Sequence, residues 1–189
     1  MSTQATTTIN GVDVEGLGAL IEKVRENPAL GQCRFRASNT WISGLHNRTS
    51  MQGFYASGEE DQSREEPIVL DSDVPPFLLG ENRGATPLEI ALTALAACMT
   101  GTLVAYASAM GIELKEVSAE LESDLDQRGF FDIDASVRNG LQHVRVDYRI
   151  QSPEPRERIL ELLGVAQKFS PVFDIMTNPV PVSIRLVEA

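Results

Sequence analysis

Two cysteines, two histidines and a few well-placed arginines are the residues of this chain whose chemistry goes beyond packing. Cys98 stands near the middle of "GATPLEIALTALAACMTGTLVAYASAMGIEL", residues 84–114, where no charge falls between Glu89 and Glu113, a run of 23 residues. A thiol there is either a small apolar packing group, the common role of a free cysteine, or a nucleophile. The reactive form is the thiolate, which needs a cation or a helix N-terminus beside it. Cys98 lies about three turns inside the helix that this stretch predicts, and the helix dipole fades within the first turn. A cation from another segment must serve it, and the candidates are Arg34, Arg36 and Arg48 in the N-terminal half and Arg83 just before the helix. His46, close to Arg48, has the chemistry to hand a proton to a departing alkoxide and suits a surface strand end equally well. Trp41, Phe169 and Phe173 are candidates to line an apolar substrate pocket, as well as core residues in their own right.

Glu89 has a structural reading of its own. Thr86-Pro87-Leu88-Glu89 fits a capping box, with Thr86 as N-cap, proline at the first helical position and Glu89 reaching back to the amide of the cap. Cys33 and Cys98 are too far apart to form a metal spacing, and only His46 and His143 could join them, so no metal site and no cofactor is expected. Cys33 itself reads as a strand residue that packs.

The chain as a whole excludes several functions. Its 16 basic and 27 acidic residues give a net charge of −11, which argues against a nucleic-acid or anionic-membrane partner, since both need a cationic footprint. At 42% apolar and 23% charged residues the composition is that of a folded soluble protein. The start, "MSTQATTTINGVDVEGLGALIEK", shows no basic region followed by an apolar core, so a cytoplasmic location is expected, where a structural disulfide would be unusual. The uncharged helix would reach roughly 34 Å, enough to cross a bilayer. Thr93, Thr100, Gly101, Thr102, Ser108 and Gly111 dilute it, however, and acidic residues flank it with no Lys/Arg cluster to set an orientation. The expectation is a helix apolar all round because it is covered all round, most easily in a homodimer.

The elements that must position these residues follow from periodicity. Residues 1–11 are polar and read as a frayed lead. Val14, Leu17, Leu20, Ile21 and Val24 recur at helical spacing and predict a short amphipathic helix that Pro28 stops. Alternation then takes over: "QCRFRASNTWISG" and "GLHNRTSMQGFYASG" predict a β-meander, and Ile68–Leu70 one more short strand. Beyond the long helix, Leu114, Val117, Ala119 and Leu121 alternate with charged neighbours, as do Val144, Val146, Tyr148 and Ile150, giving two half-buried strands. Between them residues 127–140 read as a loop or ragged strand. A second helix is predicted in "PEPRERILELLGVAQKFS", and "NPVPVSIRLVEA" as an extended edge strand. Strands grouped apart from helices indicate an α+β fold. Residues 1–32 are expected as an N-terminal extension and 33–189 as one domain.

In its cap, its Ala-Ala-Cys centre and the strand onset "GIEL", the segment "GATPLEIALTALAACMTGTLVAYASAMGIELKEVSAELESDLD" resembles the OsmC/Ohr family of osmotically inducible and organic hydroperoxide resistance proteins. The order of elements agrees over roughly residues 33–188. The resemblance implies an intertwined α+β homodimer, with β-sheets packed around long central helices and a thiol-dependent peroxidase site at the subunit interface. It makes Cys98 the peroxidatic cysteine. A nearby arginine, best matched by Arg48 with Arg36 as the alternative, would hold it as thiolate, and a glutamate near the helix start, matched by Glu89, would orient that arginine. Here Leu88 directly follows the proline and Glu89 comes one place later. Where the family carries its second, resolving cysteine, this chain reads "AQKFSPVFD", with Ser170. A serine forms no disulfide, so the expected activity is reduction of organic hydroperoxides by Cys98 with recycling by an external thiol. The alternative is a non-catalytic relative that binds a small apolar ligand or senses oxidants through its thiol. Residue 170 is expected to approach Cys98 in either case.

Overall fold

The computed structural model describes residues 7–187. In chain order its elements are β1 (Thr8–Ile9), β2 (Val12–Asp13), α1 (Val14–Glu26), β3 (Ser38–Ser43), β4 (His46–Met51), β5 (Phe54–Ala56), β6 (Glu59–Asp61), β7 (Ile68–Ser72), α2 (Pro87–Ala109), β8 (Glu116–Asp124), α3 (Gln127–Phe130), β9 (His143–Gln151), α4 (Arg156–Phe169) and α5 (Pro171–Thr177). The architecture is α+β, with small antiparallel sheets and one long helix. Two compact units divide the chain, one containing Asp13–Ala91 and the other Thr8–Val12 with Leu92–Ala189.

In the first unit, Asp13 caps α1 by accepting from the amide of Gly16 at 2.9 Å. The predicted amphipathic face of α1 exists, but none of its residues is buried among the described residues. Strands β3, β4 and β7 form a three-stranded antiparallel sheet in that order. The meander is interrupted. The chain breaks from strand after Met51, β5 and β6 pair as a separate hairpin, and β7, two residues longer than expected, returns to pair with β4. The β3–β4 turn uses Gly44 at φ 55°, in the left-handed region where glycine carries no Cβ penalty. Gly84 serves a different need: a Cβ there would lie 2.2 Å from the carbonyl oxygen of Asp71, so only glycine lets the strand-like approach to α2 run alongside β7, where Ser72 bridges Ala85.

The second unit holds the core. Leu103, Ala107, Ile112, Leu162 and Ala166 are fully buried, bringing the C-terminal half of α2 against α4, with Val117, Tyr148 and Ile150 of β8–β9 packed on them. Strands β8 and β9 pair antiparallel along their full nine residues, from Glu116 opposite Gln151 to Asp124 opposite His143. The end of α2 is a Schellman motif: the amide of Ile112 donates to Ala107 at 2.8 Å and that of Gly111, at φ 69°, to Ser108 at 3.1 Å.

Three expectations are corrected. Of the lead predicted to fray, residues 1–6 lie outside the described residues, but residues 8–13 form the β1–β2 hairpin, turned by Asn10 and Gly11 at positive φ. Its anchor is tertiary. The Asn10 side chain donates to Ile112 O at 2.9 Å and accepts from Leu114 N at 2.8 Å, while Ser108 Oγ donates to Ile9 O at 2.9 Å. Residues 127–140 include the helical turn α3, capped by Asp126. The chain after Ser170 forms α5, because Pro171 occupies the first turn of a helix, where its missing N–H is no loss. Residues 178–187 follow without strand pairing, and Val182, Ile184 and Leu186 are exposed. Helix α2 is long and apolar enough to cross a membrane by composition, and in the single chain Leu95, Met99, Leu103, Ala107 and Ser108 are its buried residues. Thr93, Ala94, Ala97 and Gly101 form an exposed face, so one chain covers one stripe of this helix and not all of it.

Candidate functional site

Cys98 sits on α2 one residue before the buried Met99, partly exposed and free of any disulfide. Its carbonyl accepts from Thr102 Oγ1 at 2.8 Å, within the same helix. Its sulfur is 3.3 Å from Ser170 Oγ, which donates to it. Ser170 is 1% exposed and joins α4 to α5, serving as C-cap of the first and N-cap of the second. Its two aromatic neighbours flank the place. Phe169 stacks on Tyr106 of α2, ring centroids 5.1 Å apart and planes 13° from parallel. Phe173 donates its amide to Ser170 Oγ at 3.3 Å and lines a groove of about 440 Å³ with Leu95, Val146, Ile175, Met176 and Arg138. Cys98, Ser170, Phe169 and Phe173 thus all belong to the second unit, and neither Ser170 as a donor nor Tyr106 was legible from spacing.

The other candidates belong to the first unit. Arg48 and Asp71 face each other across β4 and β7. Arg48 donates Nε to Asp71 Oδ1 at 2.9 Å and Nη2 to Oδ2 at 3.1 Å, a two-pronged guanidinium–carboxylate pair. His46 Nε2 lies 2.9 Å from the same Oδ1. The Arg48 bond first, and then the His46 bond, hold the Asp71 carboxyl below its ordinary range. Among the described residues, Nδ1 of the buried His46 and Oγ of the buried Ser72 have no hydrogen-bond partner. Arg36 pairs with Glu60 at 2.6 and 2.7 Å, and Arg83 with Glu81. Arg34 is bridged through its backbone to Tyr55. Glu89 performs the predicted capping box: its Oε2 accepts from Thr86 N at 2.7 Å and from Thr86 Oγ1 at 2.9 Å, and its own amide donates back to Thr86 Oγ1. Trp41 is 71% exposed, its Nε1 donating to Gly44 O at 3.0 Å. Cys33 is exposed. Among the described residues no group of three or more His, Cys, Asp or Glu is placed to hold a metal ion.

Asp71 escaped the sequence reading. Its significance rests on the pairing of β4 with β7, a non-local register that one sequence does not display. The only local signal was a carboxylate ending the apolar run "IVLDS".

The family model of OsmC-like protein matches residues 80–185, more than half of the chain, and spans α2, Cys98 and Ser170. The chain belongs to the OsmC-like protein family. No curated protein matches its sequence. Solved structures agree with the OsmC-like assignment at the level of fold. An OsmC-like protein from Mycoplasma pneumoniae is 17% identical and superposes with a TM-score of 0.60 over 77% of this chain and 89% of its own. An organic hydroperoxide resistance protein from Elizabethkingia anophelis, with thiocyanate bound, is 16% identical, with a TM-score of 0.54 over 77% of this chain and 90% of its own. A protein from Legionella pneumophila, described as an organic hydroperoxide resistance protein and predicted redox protein, is 18% identical, with a TM-score of 0.53 over 75% of this chain and 89% of its own.

Proposed function

We propose that this OsmC-like protein is a thiol-dependent peroxidase that reduces organic hydroperoxides through Cys98. The observation that carries the reading is the free, partly exposed thiol in the middle of α2 whose sulfur accepts a hydrogen bond from the buried Ser170, inside the segment that matches the family. The descriptions of the Legionella and Elizabethkingia proteins point to the same substrate class.

The chemistry is a displacement. The Cys98 thiolate attacks the distal peroxide oxygen, the O–O bond breaks, the alkoxide takes a proton and leaves as alcohol, and Cys98 becomes a sulfenic acid. With serine at position 170 no internal disulfide follows. An external thiol attacks the sulfenic sulfur, water leaves, and a second thiol releases Cys98 from the mixed disulfide. In this reading Arg48 is the cation for the thiolate, with Arg36 as alternative, Glu89 orients that arginine, and Trp41, Phe169 and Phe173 contact the organic group. The protein works as a homodimer in a reducing cytoplasm. Support for the dimer comes from the uncovered face of α2 and from the exposed Phe35, Trp41, Phe77 and Ile184. Residues 1–32 stand as an extension ahead of the family's domain.

A second reading is favoured by the same site. Ser170 cannot resolve a sulfenic acid, and Arg36, Arg48 and Arg83 each already hold a carboxylate. A relative that binds a small apolar ligand, or senses oxidants through Cys98, would show these features. Purified protein with excess dithiothreitol separates the two. The peroxidase consumes cumene hydroperoxide faster than hydrogen peroxide, and Cys98→Ser abolishes the activity. Equal consumption by wild type and Cys98→Ser would refute it.

A further inference from the structure

Ser170 has its N–H, its C=O and one lone pair of its hydroxyl committed to its own backbone surroundings. Its amide donates to Ala166 O at 3.0 Å, closing α4, and its carbonyl accepts from Asp174 N at 3.0 Å, opening α5. Its Oγ accepts from Phe173 N at 3.3 Å. A serine hydroxyl has one proton and two lone pairs. With the residue 1% exposed and one lone pair engaged by Phe173, the proton is left to Cys98 Sγ, 3.3 Å away. Two helix ends therefore fix the direction in which this hydroxyl donates.

We propose that Ser170 is a positioning residue for Cys98: its hydroxyl, locked between α4 and α5, orients the sulfur for attack. The proposal rests on Cys98 being the reactive thiol of the peroxidase reading. A donor fixed in advance and aimed at an atom that carries negative charge needs no reorganisation when the reaction begins. Holding the sulfur in one orientation turns bound geometry into rate, since a nucleophile already aimed at its target needs no further ordering.

The test separates the donor from the helix cap. Glycine is nearly as good an N-cap as serine, so Ser170→Gly removes the hydroxyl while costing α5 only a few tenths of a kcal/mol, and Ser170→Thr restores the hydroxyl. Alkylation of Cys98 by iodoacetamide and its oxidation by cumene hydroperoxide are timed at one pH, with thermal melts of each variant alongside. The expected result is a thiol about threefold to tenfold slower in Ser170→Gly with a melting temperature close to that of wild type, and Ser170→Thr within about twofold of wild type. A glycine variant as fast as wild type overturns the proposal, as does a threonine variant that folds but stays slow, or a wild-type Cys98 that neither reagent modifies. If iodoacetamide distinguishes the variants while hydroperoxide reacts with none of them, the positioning role stands and the peroxidase reading falls.

Discussion

The two units solve the handling of reactive groups in opposite ways. In the first, the arginines offered as partners for a thiolate are matched to carboxylates close by: Arg48 to Asp71, Arg36 to Glu60, Arg83 to Glu81. In the second, the thiol is met by a neutral hydroxyl that needs no counter-charge and does not titrate. Exposed ion pairs of the first kind are screened and contribute little to stability, but they set the direction of a guanidinium. A buried neutral donor of the second kind is costly to leave unpaired, and it fixes geometry at the sulfur itself. A cation that already holds a carboxylate has to share it or exchange it to serve a thiolate.

The largest expected effect tests the neutral site. Ser170→Cys places a thiol where the hydroxyl now stands, and a disulfide to Cys98 would close a 72-residue separation. By the chain-entropy estimate such a link is worth about 4 kcal/mol, less any strain it introduces. After one equivalent of cumene hydroperoxide, peptide mass spectrometry of the alkylated protein should show Cys98 linked to the introduced cysteine in the variant, with little sulfinic acid. Wild type should stop at Cys98 sulfenic acid with one equivalent and go on to sulfinic acid when more hydroperoxide is added. Oxidised Cys98 with no link in the variant would contradict the 3.3 Å approach of the Cys98 and Ser170 side chains.

Next in size is the charged site. Removing a pre-organised cation from a reacting centre typically costs about a hundredfold in rate, as loss of an oxyanion donor does. Arg48→Ala should slow Cys98 oxidation on that scale, and Arg36→Ala should change it little. The reverse ranking in stopped-flow measurements would transfer the role to Arg36. If both variants match wild type, neither Arg48 nor Arg36 has a part in the chemistry.

What one sequence could disclose divides along the same line as the two sites. The capping box at Thr86–Glu89 and the paired alternation of β8 and β9 rest on neighbours within four residues or on a period of two, and both were legible. The β1–β2 hairpin was not, because Asn10 is held by Ile112 and Leu114, about a hundred positions away. Helix α5 carries no periodic signal of its own, being seven residues long, and it starts because Ser170 caps it and Pro171 suits a first turn. Cys98 was singled out by an uncharged run and a family resemblance. The donor role of Ser170 and the Asp71–Arg48 pair come from tertiary approach and strand register, which no local pattern encodes.

A smaller effect belongs to that legible cap. Thr86→Ala removes the hydroxyl that exchanges hydrogen bonds with Glu89 and leaves the amide of residue 89 without its side-chain acceptor. The expected cost is about 1 kcal/mol, read by urea unfolding, with Thr86→Ser close to wild type. An alanine variant as stable as wild type would show that Pro87 alone suffices to start α2.

The smallest effect is local and contrasts the two units directly. Asp73, buried in the first unit, accepts from Val74 N at 2.8 Å, Glu81 N at 3.0 Å and Arg83 N at 3.1 Å. These amides, that of Arg83 foremost, hold its carboxyl below the ordinary range against the opposing effect of desolvation. A carboxyl depressed on folding contributes its full share of stability above the unfolded value, about pH 3.9, and loses it as the pH falls through the lower folded value. Protection of the Val74, Glu81 and Arg83 amides from hydrogen exchange, corrected for intrinsic rates, should therefore decline below about pH 4. The Phe173 amide donates to the hydroxyl of Ser170, which does not titrate, so its protection should stay level over the same range until the unit itself unfolds. Equal decline at both places would mean that acid unfolds the chain as one cooperative body, and that the Asp73 amides report nothing of their own carboxylate.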